Sequence, residues 1–400
     1  MKYYIEITPF FPTSDSFRGP YIYDQVKAIE RSGRYKVLVF KPTQLFNNQE
    51  SYEYEGITVH LFKAFQMPSY LFNGLSNRLN AFLFLKRVRE LGINPQEIAV
   101  AHGHTSTFGA YALALKSLNS SIYTVVQHHD RDPFTIRNGL FADWRINLRY
   151  RAKKNINIFN QVDCHISISK VVEDNLLSFP APGRYESYAP YLSVLKQAQG
   201  LPSIHPKKSI ILYNGVDTSK FYPLAGFRES TYFKIGCIGN FQALKGQMVL
   251  IKAVERLIHV IPMVRVSFVG SGELLDSCKE YVVKNALGPY VIFEKEVPHD
   301  QLNHYYNSLD LFVLPTCYEG FGCVFTEAAA CGVPFMLCEH QGASEYIPIE
   351  DTDKWLFAPN DDQHLSVLIY KFYTRKYKQR LLYPYDIDVL ISDYLNQLNV

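Results

Sequence analysis

The chain lacks most of the features that assign a function at a glance. Its seven cysteines, Cys164, Cys237, Cys278, Cys317, Cys323, Cys331 and Cys338, include no C-x-x-C pair. The four between 317 and 338 stand 6, 8 and 7 apart. That is not zinc-finger spacing, so they read as small buried residues in a reducing cytoplasm. No apolar run approaches the roughly 18 residues of a membrane span. The opening, MKYYIEITPFFP, has one early lysine, no long apolar region and no small-residue cleavage site. It reads as a buried strand rather than a signal peptide. With 41 basic and 38 acidic residues the net charge is only +3, so no global field points to nucleic acid. Internal repeats and low-complexity tracts are absent.

What is present is a globular composition, 47% apolar and 20% charged, with 29 Tyr and 27 Phe to fill the cores. Four hundred residues exceed a typical single core and predict two domains. Strand-like runs alternate with helical ones throughout. The first series is Tyr3–Ile7, Lys36–Phe40, Thr58–Phe62, Ile98–His102, Ile122–Gln127, Cys164–Ser169 and Ile210–Tyr213. The second is Phe233–Ile238, Val264–Val269, Val291–Glu294, Leu311–Leu314 and Phe335–Cys338. Helical runs such as Tyr21–Arg31 and Gln247–Val260 lie between them. Such alternation implies parallel sheets with crossover helices, and two series imply two doubly wound Rossmann-like domains facing a central cleft. The predicted domains are 1–222, 223–380 and a segment 381–400 that crosses back to the first domain as a helix. Residues 178–208, rich in Pro and Gly, read as a surface excursion or a functional loop around a short helix near Tyr191–Gln199.

The most informative stretch is Pro315–Pro334, PTCYEGFGCVFTEAAACGVP. It places Glu319 and Glu327 eight apart around the turn Gly320-Phe321-Gly322, between a short apolar strand and an alanine-rich helix opening at Cys323. A strand, glycine turn and helix aim backbone N–H groups and the positive helix end at one point, which suits an anion. A carboxylate beside an anion site can hold sugar hydroxyls or stabilise positive charge at a reacting carbon. Both uses suit a nucleotide sugar. The bland reading is a strand–helix corner with two solvated glutamates.

Other strand ends carry weaker signals. After Phe233–Ile238, the loop GNFQALKG holds Gly239, Asn240 and Lys245. It is neither a Walker loop nor GxGxxG, but Lys245 can reach back onto a diphosphate. Gly270 opens GSGE after Val264–Val269, as a plain turn or a ribose-side loop. Arg18 and Gly19 precede a helix and suit a phosphate, or form a simple turn. His128, His129 and Asp130 end a strand of the first domain. There His129 can contact a sugar hydroxyl, while His102, His104, His129 and Asp130 could instead form the metal set of a hydrolase. In Trp144–Phe159, Arg145, Arg149 and Lys153 share one face, with Trp144, Leu148, Ala152 and Ile156 forming an apolar stripe. That stretch reads as a peripheral membrane contact or as a core helix with a solvated back.

Together these motifs resemble a glycosyltransferase of the GT-B fold, of the retaining family 4 type with an E-x7-E motif. PTCYEGFGCVFTEAAACGVPF carries most of the likeness, supported by ILYNGVDTSKFYP, VSFVGSGE, SFRGPYIYDQVKAI and VDCHISISKVVEDNL. The resemblance implies a metal-independent, retaining transfer of a hexosyl or N-acetylhexosaminyl group, with no cofactor. The donor would be a nucleotide sugar and the acceptor a glycan or lipid-linked hydroxyl, in cytoplasmic surface-glycan synthesis. It implies Glu319 and His129 at the transferred sugar, and Glu327 on the ribose. Gly320, Phe321, Gly322 and Cys323 would lie on sugar and phosphate, Lys245 on the diphosphate, Gly239 and Gly270 lining the site, and Val297 near the base. One departure stands out. The family's diphosphate-gripping arginine is Asn240 here, which leaves a nucleotide-sugar-binding partner subunit as an alternative, beside a GT-B-like epimerase.

Overall fold

The computed structural model describes all residues except 15, 17, 66–71, 73, 135, 138–139, 142–144, 227–229 and 399–400. It divides into two compact units. Unit 1 is Met1–Gly215 with Ile387–Val400, and unit 2 is Val216–Asp386.

In unit 1 the strands are β1 (Tyr3–Ile7), β2 (Lys36–Thr43), β3 (Ser51–Tyr54), β4 (Ile57–Lys63), β5 (Ile98–His104), β6 (Tyr123–His128), the small pair β7 (Ile136–Arg137) and β8 (Leu140–Phe141), β9 (Cys164–Ser167) and β10 (Ser209–Ile211). The main sheet runs β10-β9-β6-β5-β1-β2-β4-β3. All its pairs are parallel except β3 with β4. β3 was not expected, because SYEY carries no apolar alternation. Glu55 and Gly56, at φ 41° and 81°, turn the chain back in two residues and set Tyr54 opposite Ile57. β5 is buried at all seven positions, as a central strand covered on both faces must be. The helix Pro20–Arg31 buries Ile22, Val26 and Ile29, one stripe at helical spacing. The C-terminal helix Ile387–Leu398 belongs to this unit. Arg31 donates to Asp388 at 2.9 Å and the hydroxyls of Tyr4 and Tyr394 meet at 2.7 Å.

Two sequence readings on unit 1 resolve by burial. In the helix Arg145–Phe159, Leu148, Ala152 and Ile156 are core residues beside Phe159 and Tyr191. The stripe offered for a membrane is therefore already covered by protein, while Trp144 lies outside the described residues. Residues 178–208 are no loose excursion. Tyr191, Val194, Leu195 and Ile204 close the same apolar layer, and buried Arg131 clamps Glu186 with two bonds of 2.8 and 3.0 Å.

Below that clamp a second polar chain crosses the interior. His165 donates through Nε2 to the Phe159 carbonyl at 2.9 Å. A carbonyl only accepts, so Nδ1 of a neutral His165 must accept from His128 Nε2 at 2.8 Å. His128 Nδ1 then has no proton to give Asp132, 2.6 Å away. Burial pushes both imidazoles down to about 3 and the Asp132 carboxyl well up, consistent with two neutral rings and a protonated acid that donates.

Unit 2 has β11 (Phe233–Ile238), β12 (Val264–Val269), β13 (Val291–Glu294), β14 (Leu311–Leu314), β15 (Phe335–Cys338) and β16 (Leu356–Phe357). The order is β13-β12-β11-β14-β15-β16, parallel throughout. The sheet extends outward in both directions from β11 and β14, so the loops leaving their carboxyl ends diverge and open a crevice. Among the described residues no helix is long and apolar enough to cross a membrane.

Two stability predictions follow from the buried chemistry of unit 1. Arg131→Ala strands Glu186 and costs about 3–5 kcal/mol, whereas Asp132→Asn keeps a donor toward His128 and stays within about 1 kcal/mol at pH 7.5. Urea unfolding of both variants measures the contrast. His128 and His165 give stability that is complete above their unfolded value near ~6.5 and is lost as pH falls toward about 3. Asp132 works in the opposite sense. His104 and His129, also held down by burial, act in the same sense as His128 and His165 and together outweigh the single protonated acid, so unit 1 loses stability from pH 7.5 to 5.5, and His165→Gln reduces that loss in the same measurement.

Candidate active site

The loops that diverge in unit 2 carry the residues singled out from sequence. After β11, residues Gly239–Gly246 fold back through a tight turn at Ala243–Lys245. The turn docks on the loop after β14. Cys317 N–H donates to the Leu244 carbonyl at 2.9 Å, and Thr316 Oγ1 reaches the same oxygen at 3.0 Å. Gly246 makes this approach possible. Its φ is 66°, and a Cβ there would stand 2.2 Å from the Pro315 carbonyl oxygen. The outcome is an ion pair between Lys245 and Glu319, each with 21% of its side chain exposed.

Glu319 sits on a braced turn. Its N–H donates to the Gln341 side chain, whose amide in turn donates to the carbonyls of Cys317 at 3.2 Å and Glu339 at 3.3 Å. Gly342 N–H returns to the Glu319 carbonyl at 3.2 Å. Gly320 and Phe321 follow, then Gly322 in the left-handed region at φ 88° as N-cap of the helix Cys323–Ala330. The positive end of that helix lies beside Glu319, since a Cβ on Gly322 would stand 3.0 Å from Glu319 Cγ. Glu327 lies in its second turn, where the buried Tyr306 hydroxyl donates to it at 2.7 Å. Burial, then the Glu327 charge, push the Tyr306 phenol far up, so the tyrosine stays a donor.

The other predicted residues fall around this pair with different weight. The Gly239 and Asn240 carbonyls both accept from buried Gln247, at 3.3 and 3.0 Å, which fixes the loop backbone and leaves the Asn240 side chain exposed. Gly270 faces that loop closely, since a Cβ there would stand 2.3 Å from the Gly239 oxygen. Val297 is half-buried after β13, beyond Glu296, which accepts from Ser271 at 2.7 Å. Cys323 is half-buried, as is Cys317, and the other five cysteines are buried. Gln341, Gln247, Thr316 and Tyr306 were not foreseen. Each is a polar residue at or just past an element end, with no motif of its own.

Unit 1 holds the remaining candidates. Gly19, at φ 84°, is the N-cap of Pro20–Arg31 and accepts from Ile22 and Tyr23. Arg18 is exposed. His129 is half-buried just past β6, its ring 5.1 Å from that of Tyr21. Its Nε2 lies 2.8 Å from His104 Nδ1. His104 continues to Glu6, with His102 stacked 4.4 Å away. The possible ligand group in the described residues is thus Glu6, His102 and His104, within 4.8 Å of one another, rather than the set with Asp130. Glu6 was missed because YYIEI reads as a buried strand with one stray acid.

Comparison with known proteins gives these sites a family. Residues 225–384 match the model of Glycosyl transferases group 1, and residues 19–186 that of Glycosyltransferase Family 4. A GDP-mannose-dependent alpha-(1-6)-phosphatidylinositol monomannoside mannosyltransferase of Mycolicibacterium smegmatis is 28% identical over 148 residues, 33% of this chain and 39% of that protein. Two further curated relatives are matched over 42% and 35% of their length, so the matches span less than half of each of these relatives. The structure of sucrose-phosphate synthase from Thermosynechococcus elongatus aligns over 100% of this chain and 99% of its own, with TM-score 0.69 at 17% identity. HepE of Anabaena in complex with UDP-glucose aligns over 100% of both chains, with TM-score 0.65 at 17% identity. At these identities the likeness establishes the fold. With both parts matched by glycosyltransferase models and the fold shared along its whole length, the chain belongs to the GT-B glycosyltransferases and resembles family 4.

Proposed function

We propose that the chain transfers a sugar, with retention and without a metal, from a nucleotide-sugar donor held on unit 2 to a hydroxyl of a glycan or lipid-linked acceptor. The observation that carries this reading is the Lys245–Glu319 pair beside the opening of the helix Cys323–Ala330. Lysine and helix end supply positive charge for a departing diphosphate, the service a metal gives elsewhere. Glu319, released from Lys245 as the diphosphate takes its place, lies against the transferred sugar and stabilises the oxocarbenium-like carbon. Glu327, fixed by Tyr306, takes the ribose hydroxyls. The backbone of Gly320–Cys323 holds sugar and phosphate, Gly239 and Gly270 admit the donor, and Val297 borders the base. The leaving phosphate accepts the proton of the attacking hydroxyl. In unit 1, His129 contacts a substrate hydroxyl, and Arg18 and Gly19 suit a phosphate.

The acceptor class is supported by the mannosyltransferase relative, whose name gives a phosphatidylinositol monomannoside as its substrate. A hexosyl or N-acetylhexosaminyl group moved at the cytoplasmic face of a membrane fits that class. Asn240 leaves this loop one positive charge short of the family pattern, and a charge-assisted bond contributes about 1.5–3 kcal/mol.

Donor binding and slow donor hydrolysis across a panel of nucleotide sugars, with and without chelator, test the reading. One donor binds selectively, and chelator leaves binding and hydrolysis unchanged. Lys245→Ala weakens that binding about 10- to 150-fold, the kinetic image of a lost charge-assisted bond. Glu319→Ala lowers turnover at least about 100-fold with a smaller change in affinity. Asn240→Arg tightens the donor by up to about tenfold. Failure of every donor to bind removes the transferase reading, and binding without turnover in the presence of acceptor leaves a binding subunit.

A further inference from the structure

We infer that Glu6 is a positioning residue: acting through His104, it holds His129 in the tautomer whose Nδ1 carries no proton. Glu6 lies on β1 and pairs in register with His102 of β5, and His104 lies two residues further along β5. β1 and β5 are the neighbours at which the order of the unit 1 sheet reverses, so their carboxyl ends point to the crevice of that unit. Glu6, His102 and His104 are all completely buried. A carboxylate in such a place is costly unless it is paired and hydrogen-bonded.

The chain of bonds fixes the protons. Burial alone would raise the Glu6 carboxyl, but the adjoining His102 and His104 hold it down to about 2, so it is ionised and can only accept. Nε2 of His104 therefore carries the proton that points at Glu6. Burial pushes His104 down, so its ring is neutral and its Nδ1 is a bare acceptor. The partner of that nitrogen is His129 Nε2, 2.8 Å away, which must be the donor. Burial, then the facing histidines, push His129 down as well. Its Nδ1 is left without a proton, and that nitrogen is buried with no hydrogen-bond partner among the described residues. One buried carboxylate thus decides, two rings away, that His129 offers a lone pair. The ligand group suited to it is a hydroxyl that donates, as on a sugar, and not a phosphate or carboxylate oxygen.

A cation between Glu6, His102 and His104 is the competing use of the same side chains. The hydrogen bonds favour the proton chain: both nitrogens of His104 are committed, to Glu6 and to His129, His102 Nδ1 meets the Tyr4 hydroxyl at 2.8 Å, and only His102 Nε2 and Glu6 Oε2 of the group are left without a hydrogen bond among the described residues, fewer than the three ligands an ion usually takes.

The catalytic meaning of this arrangement rests on the transferase reading above, whereas the tautomer itself does not. The experiment is a two-bond 1H–15N correlation on the full chain with 15N-labelled histidine at pH 7.5, with His129 assigned by the loss of its signals in His129→Gln. Wild type should show His129 as the single Nε2–H form; an Nδ1–H form or an imidazolium overturns the inference. Glu6→Gln, which can donate as well as accept, should give a mixed or Nδ1–H pattern, and an unchanged pattern overturns the role of Glu6. His104→Gln should abolish the single tautomer in the same way and serves if Glu6→Gln does not fold. Tyr394→Phe, on the other branch of the network, should leave the pattern as it is. Metal analysis of the purified protein completes the test, since a stoichiometric ion lost in Glu6→Gln would replace the proton chain by a metal site. With a donor in hand, Glu6→Gln should lower kcat about 10- to 100-fold while donor KM changes little, an outer partner having a smaller effect than the group it orients. Unchanged kcat in a variant whose tautomer has shifted would overturn the positioning role. Absence of turnover in wild type would remove the transferase reading and leave the tautomer result standing.

Discussion

Neighbouring parallel strands whose connections leave in opposite directions cannot be roofed by their own crossovers, and each sheet of this chain is built around such a pair. In unit 2 the pair is β11 and β14; in unit 1 it is β1 and β5. The constraint is topological, but its effects are chemical. Backbone leaving one strand must cross the mouth of the next. The only economical ways to hold it there are close backbone contact, as at Gly246 against Pro315, or side chains that bond to carbonyls, as Gln247, Thr316 and Gln341 do. The charged residues then project from a frame that is already satisfied.

The two crevices treat charge in opposite ways. In unit 2, Lys245 and Glu319 meet where water still reaches them, so their attraction is screened and a competing anion can exchange for the carboxylate at modest cost. In unit 1, Glu6 is sealed from water, and its charge is answered by the N–H of the neutral His104 ring rather than by a mobile cation. The first arrangement suits a group that must change partners. The second suits one that must not, because a fixed charge in a low-dielectric interior orders every proton hydrogen-bonded to it.

Much of the fold was readable because buried parallel strands are short apolar runs. Tyr3–Ile7, Phe233–Ile238, Val264–Val269, Val291–Glu294, Leu311–Leu314 and Phe335–Cys338 have the bounds the sequence suggests. β3 was hidden because an antiparallel edge strand needs no apolar alternation, and β16 because two residues carry no period. The helix Cys323–Ala330 and its turn were legible from alanine and glycine placement. Pairings across long separations were not. Arg131 finds Glu186 and Glu6 finds His104 only once strands and helices are stacked, and nothing local to either residue announces it. Trp144–Phe159 shows the limit of periodicity from the other side, since an apolar stripe looks the same whether protein or lipid will cover it.

Asn240 is where the family pattern and this chain part. A neutral amide cannot replace a guanidinium in charge, and its loop backbone is tied down through the Gly239 and Asn240 carbonyls by Gln247. The charge around the proposed diphosphate position then comes from one lysine and one helix end, worth roughly half a unit charge, against two carboxylates, Glu319 and Glu327. In the unliganded protein that balance favours the Lys245–Glu319 pair. On the proposed reading, a donor must therefore bring enough of its own contacts, through ribose, base and sugar, to separate them. Dependence on those contacts makes affinity more sensitive to which nucleotide and which sugar arrive, since less of the binding energy comes from the diphosphate that all such donors share.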